Sequence, residues 1–159
     1  MTKLKIHLTL TLSLFLLFGC AHLNGGVADK VSTKDLAVEA ATALTQYYQL
    51  KDVEKFMTLV SPKYQGEDGQ GGYGKFETEL TELFLNTKSV VLEVSVRKVI
   101  EEKTHVVVET EWKKTFVGID GNGENISGKT KLVFIRYDGN TLKLFSVLGD
   151  TIFLGAFAK

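Results

Sequence analysis

The spacing of apolar residues along this chain changes once, near Thr87, and that change constrains the fold more than any other feature. Before it, Leu36, Ala40, Ala43, Leu44, Tyr47 and Tyr48 recur at three and four residues, the stripe of an amphipathic helix. Ser32, followed three residues later by Asp35, predicts where that helix starts: the hydroxyl caps free amides and the acid faces the positive helix end. Asp52 is a second cap, and Val53, Phe56, Met57 and Val60 continue a stripe as far as Ser61-Pro62, where the proline disfavours helix in the residue before it. A loop from Lys63 to Gly74 carries five glycines, and Phe76, Leu80, Leu83 and Phe84 then mark a third helix. After Thr87 the period becomes two. Val90, Leu92, Val94 and Val96 alternate, as do Val106, Val108, Trp112 and Phe116, then Leu132 and Phe134, then Leu142, Leu144 and Leu148. Asp120-Gly121-Asn122-Gly123 and Asp138-Gly139-Asn140 read as hairpin turns, since Gly and Asn tolerate positive φ. Helices that precede hairpin-linked, antiparallel strands predict an α+β domain.

The first residues are of another kind. Lys3 and Lys5 precede Ile6 to Phe18, a run of 13 mostly apolar residues. That is shorter than the roughly 20 needed to span a bilayer as a helix, and it fits the apolar region of a secretory signal. Leu17-Phe18-Gly19-Cys20 then resembles the lipobox of bacterial lipoproteins, although Phe18 stands where that family more often has a small or β-branched residue. The resemblance implies cleavage between Gly19 and Cys20, with a diacylglycerol on the Cys20 thiol and a further acyl group on its new amine. Several acyl chains hold a protein to a membrane far more firmly than one, at about 0.8 kcal/mol per buried methylene. Ala21, rather than Asp, implies sorting to the outer membrane by enterobacterial rules. Residues 1–19 thus read as signal peptide, 20–34 as the lipidated cysteine with a tether containing Asn24-Gly25-Gly26, and 35–159 as the folded domain.

Charge and cysteine content limit the partners. The chain balances 19 basic against 19 acidic residues, which argues against nucleic-acid binding driven by phosphate contacts. Loss of residues 1–19 removes two lysines and no acid, so attachment to a membrane would rest on the lipid and not on surface charge. A single cysteine excludes an internal disulfide framework and any multi-thiolate zinc site.

Helix, short helix, loop, helix and antiparallel strands together resemble the nuclear transport factor 2-like (NTF2-like), or cystatin-like cone, superfamily over about Asp35 to Phe153. The most specific pieces are the break Gln49-Leu50-Lys51-Asp52 and the run Tyr137-Asp138-Gly139-Asn140-Thr141-Leu142-Lys143-Leu144. The resemblance implies N-terminal helices packed on a curved antiparallel sheet, and homodimers through the sheet are common among relatives. It does not settle function, because the superfamily hosts dehydratases, isomerases and many binding modules.

Candidate chemistry is sparse. Gly69-Gln70-Gly71-Gly72-Tyr73-Gly74 has the spacing of a dinucleotide loop, but no strand precedes it, and Glu67 and Asp68 would repel phosphate. A mobile loop, able to act as a lid, is the better reading. Asp120, Asn122 and Glu124 alternate as in a calcium loop, yet Asn125 and Lys131 stand where that loop needs Gly and Glu. His105 shares a strand face with Glu109, Glu111 and Lys113, which reads as solvated. No metal and no cofactor is expected. The opposite face of that strand holds Val106, Val108, Thr110, Trp112, Lys114 and Phe116. Trp112 with Tyr47 or Tyr48 would line an apolar pocket, with Arg136 and Asp150 at its mouth. Two functions follow: a non-catalytic envelope lipoprotein holding an apolar ligand or a peptide partner, or a small lyase or isomerase with Asp150 as base.

Overall fold

The computed structural model describes residues 31–66, 69, 71–139 and 141–154. The signal-like run, Gly19, Cys20 and the tether up to Lys30 lie outside the described residues, as do Glu67, Asp68 and Gln70 of the glycine loop. Three helices come first, α1 (Thr33–Gln49), α2 (Val53–Thr58) and α3 (Tyr73–Leu85). Four strands follow: β1 (Thr87–Glu101), β2 (His105–Gly118), β3 (Gly123–Tyr137) and β4 (Thr141–Gly149). Among the described residues no helix is long and apolar enough to cross a membrane.

Ser32 caps α1, its hydroxyl accepting the amide of Asp35 at 3.1 Å, so the helix begins at Thr33, where that cap predicts it. The buried line on α1 is Ala37, Ala41, Leu44 and Tyr48. Leu36, Ala40 and Tyr47 flank it, half-buried. The buried line thus runs through Ala37 and Ala41, one residue on from Leu36 and Ala40. Asp52 caps α2 by accepting the amide of Lys55 at 3.0 Å. That helix stops at Thr58, and Val60 leaves it to pair in parallel with Leu144. The third helix starts at Tyr73, inside the stretch read as loop, because Gly72 takes the cap position and the Tyr73 hydroxyl reaches the carbonyl of Met57.

The sheet is an antiparallel meander in the order β1-β2-β3-β4. Its curvature goes with bulges, one between Val96 and Lys98 in β1 and one at Val133/Phe134 against β4. The second bulge has a visible consequence. Leu142 and Leu144 face the core as predicted, but beyond them Val147 is buried and Leu148 is 42% exposed. An inserted residue reverses the facing of everything after it. β2 keeps its phase throughout, and Val106, Val108, Thr110, Trp112, Lys114 and Phe116 are all buried on the face that the helices cover.

The far edge of β4 is not left open. Leu144 donates to the carbonyl of Leu59 and accepts from Ser61, each at 2.8 Å, and Gln65 donates to Phe145 at 2.9 Å. The chain from Leu59 to Gly66 thus satisfies an edge that would otherwise invite pairing with another chain.

Candidate functional site

The space between the sheet and the helices is where a pocket was expected, and it is filled. After Gly149 the chain turns inward, and Ile152 and Phe153 enter this space at 0% and 1% exposure. The Phe153 ring stands 5.1 Å from Phe56, 5.5 Å from Tyr48 and 6.4 Å from Phe76, centroid to centroid. One C-terminal side chain therefore joins all three helices. Burying two such residues contributes about 1.5–3 kcal/mol each.

The backbone of the same segment is gripped by side chains from the sheet and α1. Lys114 Nζ donates to the carbonyl of Ile152 at 2.9 Å, and the Tyr48 hydroxyl donates to that of Phe153 at 2.8 Å. Thr130 Oγ1 donates to the carbonyl of Asp150, while accepting from Trp112 Nε1 at 2.8 Å. Each of these bonds contributes about 0.5–1.5 kcal/mol net, and more where the donor is charged. Lys114, 1% exposed, also lies 5.7 Å from the Tyr48 ring centroid and 5.8 Å from that of Trp112, within cation–π range. A lysine at an inner-face strand position is thus accommodated by aromatic faces and carbonyl dipoles.

The predicted pocket residues separate into two groups. Tyr48 and Trp112 come together in this interior, bridged by Lys114, while Tyr47 lies half-buried beside it. Arg136 and Asp150 do not share a mouth. Arg136 is on the surface, paired with Glu101 at 2.6 Å and donating to Thr33 Oγ1 at 2.8 Å. Asp150 Oδ2 accepts the amide of Lys129 at 2.8 Å, and the side chain is exposed. Lys129 and Arg136 are separated along β3 by roughly 20 Å at the usual rise of a strand. The separation follows from register: Arg136 opposes Leu142 at the hairpin end of β4, and Asp150 follows the last residue of that strand. Asp150 instead packs against Gly128. A Cβ at Gly128 would come within 2.7 Å of both the Asp150 carboxylate and the Trp112 indole, so only glycine lets them meet there.

Lys114, Thr130, Ile152 and Phe153 were not among the expected site residues. Alternation along β2 did place Lys114 on the inner face. Nothing in the local pattern marks Ile152-Phe153, since two apolar residues carry no period.

Among the described residues no carboxylate is buried and no three His, Cys, Asp or Glu side chains cluster as metal ligands. His105 lies by the β1–β2 turn, its Nε2 3.1 Å from Glu102, away from the interior. The outer sheet face is a charge ladder: Glu111 binds Arg97 on one side and Lys129 on the other, and Glu109 meets Lys131 at 3.2 Å. Hydrogen bonds from Arg97 first, then Lys129, hold the Glu111 carboxyl below the usual glutamate range. A carboxyl lowered on folding stabilises above its unfolded pKa, and that contribution disappears as pH falls through the lowered value. An NMR titration is therefore expected to show a Glu111 midpoint below that of free glutamate, moving up in Arg97→Ala. An unmoved midpoint would show that the ladder does not act on Glu111.

Comparison with solved structures places this geometry. The chain is similar to an NTF2-like superfamily protein from Salmonella enterica serovar Typhimurium, with a TM-score of 0.65 and 13% identity over 80% of this chain and 99% of that one. It is also similar to a ketosteroid isomerase-like protein from Erwinia carotovora atroseptica, with a TM-score of 0.61 and 12% identity over 74% and 96%. A third is an NTF2-like protein of unknown function from Shewanella oneidensis, with a TM-score of 0.59 and 11% identity over 76% and 100%. The fold is the NTF2-like cone. At such identities the likeness is one of fold, and a cone hosts many chemistries. No protein-family model matches the sequence, and no curated protein matches it. In this cone Ile152 and Phe153 occupy the chamber between helices and sheet, and Lys114, Tyr48 and Thr130 donate to the backbone of that segment.

Proposed function

We propose that this protein is a bacterial envelope lipoprotein, anchored through Cys20, whose cone is a binding module that holds a partner without transforming it. The observation that carries the reading is the set of bonds from Lys114, Tyr48 and Thr130 to three carbonyls of one apolar segment. These groups hold a bent stretch of chain that carries the apolar side chains of Ile152 and Phe153, the chemistry of a receptor for an apolar ligand or a peptide. The lyase or isomerase reading needs a base directed into the chamber, whereas the Asp150 carboxylate lies outside it on the Lys129 amide. The outer membrane, facing the periplasm, is the proposed location, by the lipobox and Ala21.

Cys20→Ser tests the anchor. The variant is expected to incorporate no labelled palmitate, to keep its signal-like segment, and to lose the mature lipidated form. Normal labelling and processing of Cys20→Ser would show that the lipobox reading is wrong. Crosslinking in the envelope, with the chain intact, then separates a protein partner from a homodimer through the sheet.

A further inference from the structure

We propose that the free edge of β1 is a self-association site, at which two copies of this chain pair β1 with β1, antiparallel, into one continuous sheet.

The two edges of the sheet are treated differently. The edge of β4 is sealed by the chain from Leu59 to Gly66, whereas β1 from Lys88 to Lys98 has backbone pairs only with β2 among the described residues. An open edge strand is a template for another strand. A groove runs along it, with Val94 and Val96 on one wall and Thr42, Thr45, Gln46 and Gln49 of α1 on the other. The hydroxyls of Thr42 and Thr45 donate to the carbonyls of Val38 and Ala41 in their own helix, which leaves their methyls to line it. Beyond Glu39 no residue of α1 is charged, although Thr42, Gln46 and Gln49 are exposed. Such depletion of charge belongs to the centre of an interface rather than to ordinary surface.

The charges on β1 select the occupant. Antiparallel pairing with both helix layers on one side of the sheet sets outer residues opposite outer ones. A two-fold axis centred on Glu93 or on Arg97 would oppose like charges. Centred on Ser95, it sets Glu93 of each copy opposite Arg97 of the other on the outer face, and Val94 opposite Val96 on the groove side. The run Glu93-Val94-Ser95-Val96-Arg97 is thus its own antiparallel complement, the property a two-fold interface needs. Both charges are open to it. Glu93 is exposed and makes no ion pair among the described residues, although Lys113 lies opposite it in register. Arg97 meets Glu111 through Nε and Nη2, which leaves Nη1. Val96, 37% exposed at the open edge, would be covered.

Sedimentation equilibrium of the purified full chain in detergent tests this, and the native chain is expected to dimerise. Glu93→Arg and Arg97→Glu each oppose like charges at two places and should weaken the dimer about tenfold or more. An equal mixture of the two variants should regain native affinity, because each then meets the opposite charge. Arg97→Glu also gives up the bond to Glu111, and a merely structural fault would not be repaired by mixing. In a Cys20→Ser background, Ser95→Cys should crosslink on oxidation, since opposed residues on the axis stand about 4.5–5.5 Å apart, within disulfide reach. Ser89→Cys should not, its two copies lying roughly 40 Å apart at the usual rise of a strand. A chain that stays monomeric, a dimer indifferent to both charge reversals, or crosslinking as fast from Ser89→Cys as from Ser95→Cys overturns the proposal.

Discussion

Phe153→Ala is expected to destabilise the domain by about 3–5 kcal/mol, the range for deleting a buried phenyl ring. The ring is 1% exposed and meets Tyr48 of α1, Phe56 of α2 and Phe76 of α3, so its loss opens a cavity where the three helices converge. Partial relaxation of the surrounding rings sets where in the range the cost falls. For a domain of this size the melting temperature should drop by roughly 10–20 °C, with a single cooperative transition. Phe153→Leu keeps most of the volume and should lose clearly less. A melting temperature for Phe153→Ala within about 2 °C of the native value would mean that the segment adds nothing to the core. The experiment separates a segment that completes the cone from one that merely lies against it.

Gly149→Ala is expected to cost about 2–4 kcal/mol, combining two penalties at one residue. Its φ is +98°, a region where L side chains are strained, and a Cβ there would stand 2.9 Å from the carbonyl oxygen of Lys129. That oxygen belongs to the backbone and accepts the amide of Asp150, so it cannot simply turn aside. The chain leaves β4 for the interior at this residue, and the strain falls on the segment carrying Ile152 and Phe153. Gly74→Ala is the control: it lies in α3 with nothing within 4 Å of an added Cβ, and alanine is the better helix former by up to about 1 kcal/mol. Denaturant unfolding of both variants checks the pair. A Gly149→Ala midpoint equal to the native one would show that the backbone relaxes there without cost.

The two effects differ in how far they can be read from residues alone. A cap such as Ser32 or Asp52 acts over three residues, and both work as their side chains predict. The alternation along β2 likewise holds from Val106 to Phe116, which is why a buried lysine could be placed on the inner face before any fold was known. At Val133/Phe134 the same logic fails, because a bulge depends on the partner strand, and Val147 takes the buried place assigned to Leu148. Val60 fails for a related reason: its neighbours Leu59 and Ser61 bond the backbone of Leu144, so the chain there joins the edge of β4 and not the helix. Arg136 and Asp150, read as neighbours at a mouth, lie toward opposite ends of β3, since strand register and not residue type sets that distance.

Local and periodic forces thus determine the α+β class, the order of helices and strands, the caps and the inner face of β2, because each depends on residues a few positions apart. The occupancy of the chamber was decided only by tertiary structure. Ile152 and Phe153 carry no periodic signal, and their burial depends on rings some seventy to a hundred residues earlier in the chain and on donors that three separate elements bring together. Contacts between residues so far apart in sequence form only when the whole cone closes, so no local pattern could announce them.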